Sequence, residues 1–428
     1  MKLLFFDYQH YPAPDANGNC VEMLRRQLGA LGICSDVLAF KTSRKMPSKK
    51  TDVNGCIYLE SVWATQRRIK SDHGTLDIKA VLHMPIAFGA RIAHRLLSDR
   101  YTIQERTFSW KACTHLCKKL SQLCRENQYD WVVAVSAPYC IHEIAAHAKL
   151  HQARLALYYL DPFSAHELFP KENHGGRIQR ELQVLSKADI VFASLEHEPD
   201  WRTTQLSRYI DKVHFLPYPN LEPHGESVEN AKVCLGKDID LLYMGALHDH
   251  VRYPQAMLLL FEKMLDLEPS LRLSIIGYKS GTTVMQQLAN AEQHLGDRLV
   301  CERPVPLPQA VEKIRQADCV INLGNCMRNQ MPSKLLDYIA EGKPILNISH
   351  NRPCNTALYL ERYPWKLQFY EQELESEKAL QEAAEEAIAF IRKYRRKNLA
   401  WAEVEDMMSG LTARDVAKQF LALLQERM

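Results

Sequence analysis

Short apolar runs interleaved with helix-like stretches constrain this chain more than any other feature. In the first half they read "KLLFF", "SDVLAF", "WVVAVS", "RLALYYL", "DIVFAS" and "KVHFLP". In the second half they read "IDLLYMG", "LRLSIIG", "LVCER", "DCVINLG" and "PILNIS". A strand that is apolar at every position has both faces covered, which calls for helices on each side of a parallel sheet. Each half therefore predicts a doubly wound α/β unit of its own. Between the halves, "YPNLEPHGESVENAKVCLGKD" (Tyr218–Asp238) gathers Pro, Gly, Asn and charge, and reads as a linker. The expected organisation is a first domain over 1–218, a second over 219–398 and a helical segment over 399–428. In that last segment Thr412 and Asp415 have capping-box spacing ahead of an amphipathic run. A chain of 428 residues is too long for one ordinary core and suits two. Two such units leave a cleft, with ligands expected beyond the carboxyl ends of strands.

Composition narrows the classes. An apolar content of 46% with 25% charged residues is that of a soluble globular protein. No apolar run approaches the roughly 20 residues that span a bilayer. "MKLLFF" gives way at once to Asp7, Gln9 and His10, too short for a signal-peptide core, and predicts a first strand. The 12 cysteines are scattered without a framework, which points to reduced thiols and a cytoplasmic location. Cys113, Cys117 and Cys124, with His115 between them, lack the second pair that a zinc site needs, and core packing is expected of them. Net charge is only +3, yet residues 41–125 hold 17 Lys/Arg against 6 Asp/Glu, densest in "KTSRKMPSKK" and "RRIK". Two readings stand for that stretch: a solvated loop, or a surface for an anionic membrane or a phosphorylated acceptor. "HMPIAFGARIAHRLLSDR" (His83–Arg100) reads as a helix, either in a core or lying on anionic lipid. No nucleic-acid module is recognisable, so nucleic acid is not an expected partner.

The loops after strands carry the candidate chemistry. Beyond the first strand there is no G-x-G-x-x-G, which argues against a nicotinamide dehydrogenase. Instead a loop with Asp15, Asn17 and Gly18 leads to a helix ending at Gly32. Gly18 either lets backbone approach a ligand closely or is a plain turn glycine. After "RLALYYL", Asp161 and His166 are candidates for proton transfer, although Asp before Pro also makes ordinary turns. "YMGALHDHVRYP" offers the Gly245 N–H and the Arg252 guanidinium to a phosphate or sugar; consecutive His248, Asp249 and His250 do not converge on one metal ion. "DID" (Asp238–Asp240) precedes its strand, the wrong side of the sheet for a metal-binding Asp-x-Asp.

Finally, "VINLGNCMRNQMPSKLLDYIAEGKPI" predicts a strand, a loop and a helix opening at Pro332 and stopping before Gly342 and Pro344. Ser333, Lys334 and Leu335 would present N–H groups at the helix start, with Asp337 about 6 Å further along. That distance suits a pyrophosphate at the amides and a ribose diol at the carboxylate. Simple capping with a solvent-facing Asp is the alternative.

"MPSKLLDYIAEGKPIL" resembles the donor-binding signature of GT-B glycosyltransferases of the glycosyltransferase-four-like, group 1 type. The resemblance extends through "AVSAPYCIHEIAAHAKL", "KADIVFASLEHE", "KVHFLPYPNL", "DLLYMGALHDHVRYP" and "PLPQAVEKIRQADCVINLG". It implies two Rossmann-like doubly wound domains facing across a cleft, with a C-terminal return helix. It also implies transfer of a sugar from a nucleoside diphosphate sugar, held by the second domain, to a glycan or lipid-linked acceptor, held by the first. No cofactor and no metal are expected. The family's ribose-binding carboxylate falls on Asp337, its pyrophosphate amides on Ser333, Lys334 and Leu335, its basic residue on Arg252, and its phosphate-facing glycine on Gly18. Two departures follow: Asp337 is one methylene shorter than the family's Glu, and the companion acid falls on Asn329. An inverting enzyme would draw its base from Asp161 or His166. The setting implied is cell-envelope or capsular polysaccharide synthesis, peripheral on the inner membrane face. A nucleotide-sugar 2-epimerase and an inert GT-B binding subunit are the alternatives.

Overall fold

The computed structural model describes residues 1–10, 16–40, 56–59, 110–168, 174–225 and 238–428. Most of the basic stretch, the helix expected over His83–Arg100, and Asp15 lie outside the described residues. The chain divides into two compact units, Met1–Pro219 with Ala413–Met428, and Asn220–Thr412.

In the first unit seven parallel strands form one sheet: β1 (Lys2–Phe6), β2 (Cys34–Phe40), β3 (Cys56–Leu59), β4 (Trp131–Ser136), β5 (Arg154–Tyr159), β6 (Ile190–Ser194) and β7 (Val213–Leu216). Their order is β3-β2-β1-β4-β5-β6-β7, so the direction of winding reverses between β1 and β4. Helix α1 (Ala16–Ala30) follows β1, α2 (Trp110–Asn127) precedes β4, α3 (Cys140–His147) follows it, and α4 (His174–Leu185) and α5 (Glu198–Thr203) lie on either side of β6 in sequence. The continuous apolar runs are the buried central strands: every residue of β4 and β6 is buried. Cys117 and Cys124 of α2 belong to this core, and burial pushes their thiols up to about 11 and about 12, so they pack as small apolar groups.

The second unit repeats the plan with β8 (Ile239–Met244), the two-residue β9 (Leu247–His248), β10 (Leu271–Ile276), the two-residue β11 (Lys279–Ser280), β12 (Leu299–Glu302), β13 (Cys319–Leu323), β14 (Ile345–Ser349) and β15 (Lys366–Tyr370). The main sheet runs β12-β10-β8-β13-β14-β15, all parallel, and reverses between β8 and β13. Its helices are α6 (Gln255–Leu267), α7 (Thr282–Leu295), α8 (Leu307–Gln316), α9 (Lys334–Ala340), α10 (Ala357–Leu360), α11 (Glu377–Tyr394) and α12 (Trp401–Met407). Two full strands, β3 and β15, have no counterpart among the predicted runs. Both are edge strands, and "KLQFY" of β15 is only partly buried at four of its five positions, so it lacks the unbroken apolar character of a covered strand.

The segment expected as one piece over 399–428 divides. Residues 399–412, with α12, group with the second unit, whereas α13 (Ala413–Glu426) groups with the first. There Phe420 lies 4.3 Å from the ring of Phe192 and 6.3 Å from that of Phe5, on β6 and β1. The terminal helix thus completes the core of a sheet whose strands come from the opposite end of the chain.

Candidate functional site

In the second unit the reversal between β8 and β13 opens a crevice at the carboxyl ends of two adjacent parallel strands, the position where doubly wound sheets hold ligands. The loop after β8 supplies Arg252. Its Nε donates to Asn325 Oδ1 of the β13 loop at 2.5 Å, and its Nη1 to Tyr243 OH and Ala246 O, each at 3.4 Å. Asn325 is itself buried and donates to Gln330 O at 2.9 Å. The guanidinium is thereby aimed by both loops, with Nη2 left without a hydrogen bond among the described residues. Gly245 permits this arrangement sterically, since a Cβ there would stand 3.1 Å from Arg252 Nη1. Its N–H is not a ligand donor, however: it donates to Ile276 O at 2.9 Å, continuing the β8–β10 ladder past the end of the strand. The expectation of a phosphate contact from Gly245 is corrected accordingly.

The neighbouring His-Asp-His run has structural work. Asp249 accepts from the N–H groups of Thr283 and Val284 at 3.2 and 3.0 Å, capping α7, and these bonds draw its carboxyl below the ordinary value. Asp238 of the "DID" triplet pairs with Arg272 at 3.0 Å, at the amino end of the sheet.

Helix α9 follows β13 and differs from its expected form. It begins at Lys334, after a turn in which Leu335 N–H donates to Pro332 O at 3.1 Å. One of the three expected pyrophosphate amides is therefore already engaged, leaving those of Ser333 and Lys334 at the opening. Gly342 takes the left-handed conformation predicted for it, with φ at 64°, and packs against Leu399. Tyr338 OH accepts from Met244 N–H at 2.8 Å and so ties the helix to the end of β8. All of Leu335–Ala340 is buried, so Asp337 does not sit on a solvated face. Burial pushes its carboxyl up, but Lys334 and His224 outweigh that and hold it below the ordinary range. Lys334 Nζ donates to Oδ2 at 2.7 Å and His224 Nε2 to Oδ1 at 3.1 Å. The carboxylate is ionised, buried and doubly held. Asn329, the position of the missing companion acid, is also buried.

Sequence reasoning missed His224 and Asn325. His224 lay in a segment read as a linker for its Pro, Gly, Asn and charge, and Asn325 in a loop read only for the helix that follows it.

In the first unit the reversal between β1 and β4 gathers the other candidates. Gly18 lies within the first turn of α1 rather than in a loop, and is buried. Its neighbour Asn17 donates from Nδ2 to Asp161 Oδ2 at 2.9 Å and to Ser136 O at 3.0 Å, joining α1 to the ends of β5 and β4. Ser136 Oγ donates to Asp161 O at 3.0 Å. Asp161 is half-buried at the crevice. His166 fares differently as a base: Leu168 N–H donates to its Nδ1 at 3.3 Å, so the neutral ring carries its proton on Nε2. Burial first, then the charge of Arg177, bring its pKa down to about 4. At neutral pH it is an uncharged hydrogen-bond donor. Nearby, burial lifts the Glu181 carboxyl to about 7, where it accepts from Ser164 N–H at 3.1 Å. A second polar group at the end of β1 was also overlooked: buried His10 bridges Asp7 Oδ2 at 3.4 Å and Glu22 Oε2 at 3.1 Å.

No family model and no curated protein matches the sequence. Solved structures do match over the whole chain. The pneumococcal O-GlcNAc transferase GtfA, solved with UDP and GlcNAc, is similar over 100% of this chain and 99% of its own at 11% identity, with a TM-score of 0.60. Sucrose-phosphate synthase from Thermosynechococcus elongatus covers 99% and 98% at 13% identity and 0.59, and UDP-GlcNAc 2-epimerase from Methanocaldococcus jannaschii covers 100% and 100% at 9% and 0.52. The two Rossmann-like sheets and these likenesses show the GT-B fold.

Proposed function

We propose that the protein is a glycosyltransferase that moves a sugar from a nucleoside diphosphate sugar to a glycan or lipid-linked acceptor. The observation that carries this reading is the combination at the β8–β13 reversal of an aimed guanidinium, Arg252, held by Asn325 of the β13 loop, and an ionised buried carboxylate, Asp337, on the helix that follows that loop. The two suit the two ends of a nucleoside diphosphate, a diphosphate anion and a ribose diol. In this reading Arg252, Lys334 and the Ser333 and Lys334 amides take up the charge that develops on the leaving diphosphate, which is the work a divalent ion does elsewhere. Gly18 lies at the first unit's reversal, where Asp161, held by Asn17, is the group placed to take a proton from an acceptor hydroxyl if the reaction inverts. His166 acts there as a donor through Nε2–H.

The basic stretch over 41–125 supports a cytoplasmic enzyme that works peripherally on an anionic membrane face, in envelope or capsular polysaccharide assembly. Among the described residues no helix is long and apolar enough to cross a membrane.

Incubation with UDP-, GDP- and ADP-hexoses tests the reading. Slow release of free nucleotide, accelerated by an acceptor, is expected. Conversion of the sugar without nucleotide release would mean a 2-epimerase, and inertness toward every donor would mean a binding subunit.

A further inference from the structure

Asp337 is the residue that the donor-site reading sets against the ribose, yet its side chain is only 7% exposed and both oxygens already have partners. What reaches solvent beside it is the ring of His224, at 18% exposure. That histidine is held at three points. Its backbone N–H donates to Glu341 Oε1 at 3.3 Å and its carbonyl accepts from Arg315 Nη2 at 3.0 Å. Arg315 and Glu341 are in turn joined at 2.7 Å, closing a ring of bonds around the segment. The third point is the ring itself. An ionised carboxylate only accepts, so His224 Nε2 must carry the hydrogen that meets Asp337 Oδ1. In the neutral ring Nδ1 is then a lone-pair acceptor, and among the described residues no group hydrogen-bonds to it. A clamped backbone, a fixed tautomer and one ring nitrogen without a protein partner make a preorganised acceptor.

We propose that His224, positioned by Asp337, reads the ribose hydroxyls of the bound nucleotide. This rests on the donor-site reading above. The imidazole supplies the reach that the short Asp337 side chain lacks: a ribose O–H donates to Nδ1 while Asp337 holds the opposite edge of the ring. A hydroxyl suits a lone-pair acceptor because it brings a hydrogen to donate, whereas an unprotonated phosphate oxygen has none to offer.

The test is calorimetric titration with UDP, GDP and ADP, and with the 2′-deoxy and 3′-deoxy forms of whichever binds, on wild type, His224→Phe and His224→Gln. Wild type should bind the ribonucleotide about tenfold more tightly than at least one deoxy form, the effect of one lost hydrogen bond at a half-buried site. His224→Phe should bind ribo and deoxy forms alike, at the wild-type affinity for the deoxy form. His224→Gln, which keeps an N–H for Asp337 and a carbonyl acceptor, should recover part of the preference. Far-UV circular dichroism and urea midpoints check the fold. If the Phe variant does not fold, the deoxy series on wild type and the Gln variant decide alone. Full discrimination in the variants, or none in wild type, would overturn the role of His224 while leaving the donor site standing. Tighter ribonucleotide binding by His224→Phe would also overturn it, making His224 a plug over the carboxylate. Wild type that binds no nucleotide would remove the proposal together with the donor-site reading.

Discussion

At the scale of single residues, charge that the fold takes inside can be fixed by partners. Asp337 is the clearest case, since its ionised form is stabilised in the fold by Lys334 and His224. Its carboxyl is held below the ordinary value of 3.8, so its contribution to stability is present above that pH and is lost as pH falls through the lower folded value. Asp337→Asn should therefore unfold more easily at neutral pH, by about 2 kcal/mol, as expected for hydrogen bonds to a charged group. The gap to wild type should narrow under acid, and urea titrations from about pH 7 down to about pH 2.5 would reveal it. A constant gap across that range would mean that Asp337 is not ionised against those two partners. Lysine and carboxylate three apart were legible in the sequence. His224 was not, because it comes from a segment more than a hundred positions away in the chain, and no local periodicity encodes such a pairing.

At the scale of elements, helix α9 shows how local signals and tertiary demands combine. Gly342 and Pro344 were readable as a stop because only glycine takes φ near 64° without strain and proline cannot continue a helix. The same glycine has a second duty that the sequence does not announce: a Cβ would stand 2.1 Å from Leu399 O, and Leu399 N–H donates to Gly342 O at 3.0 Å. Gly342→Ala thus faces both conformational strain and a backbone clash, and should cost roughly 2 kcal/mol or more, measured as a lowered urea midpoint. An unchanged midpoint would mean that Leu399 moves aside freely. The alternative of a solvent-facing Asp337 does not occur: Tyr338 bonds to Met244 and ties α9 to the sheet, and the carboxylate is buried with the helix. The central strands, covered on both faces, were all legible, and the two full strands missed, β3 and β15, are both at edges, although the edge strands β7 and β12 were read.

At the scale of the whole molecule, two sheets with separate cores arise from one chain whose last helix belongs with its first strands. The break near residue 219 was visible as composition, in a stretch of Pro, Gly and charge. The second break, at Thr412, falls between two helices and has no compositional signal; it is set by which core offers a place for Phe420. Phe420→Ala should destabilise the first unit by about 3–5 kcal/mol, the usual cost of emptying a buried phenylalanine site. The transition of the second unit should stay in place, since Phe420 belongs to the other core. Calorimetric unfolding would show one transition lowered; an unchanged scan would mean that α13 is not part of the first core.

The GT-B fold brings a reversal point to each sheet, and the proposed nucleotide site is the second, between β8 and β13. Titration calorimetry with UDP, GDP and ADP on wild type and on Asp337→Ala addresses this most directly. Selective binding of one nucleotide, weakened at least about tenfold by the substitution, is the expected result. Equal binding by wild type and variant, or no binding at all, would contradict it.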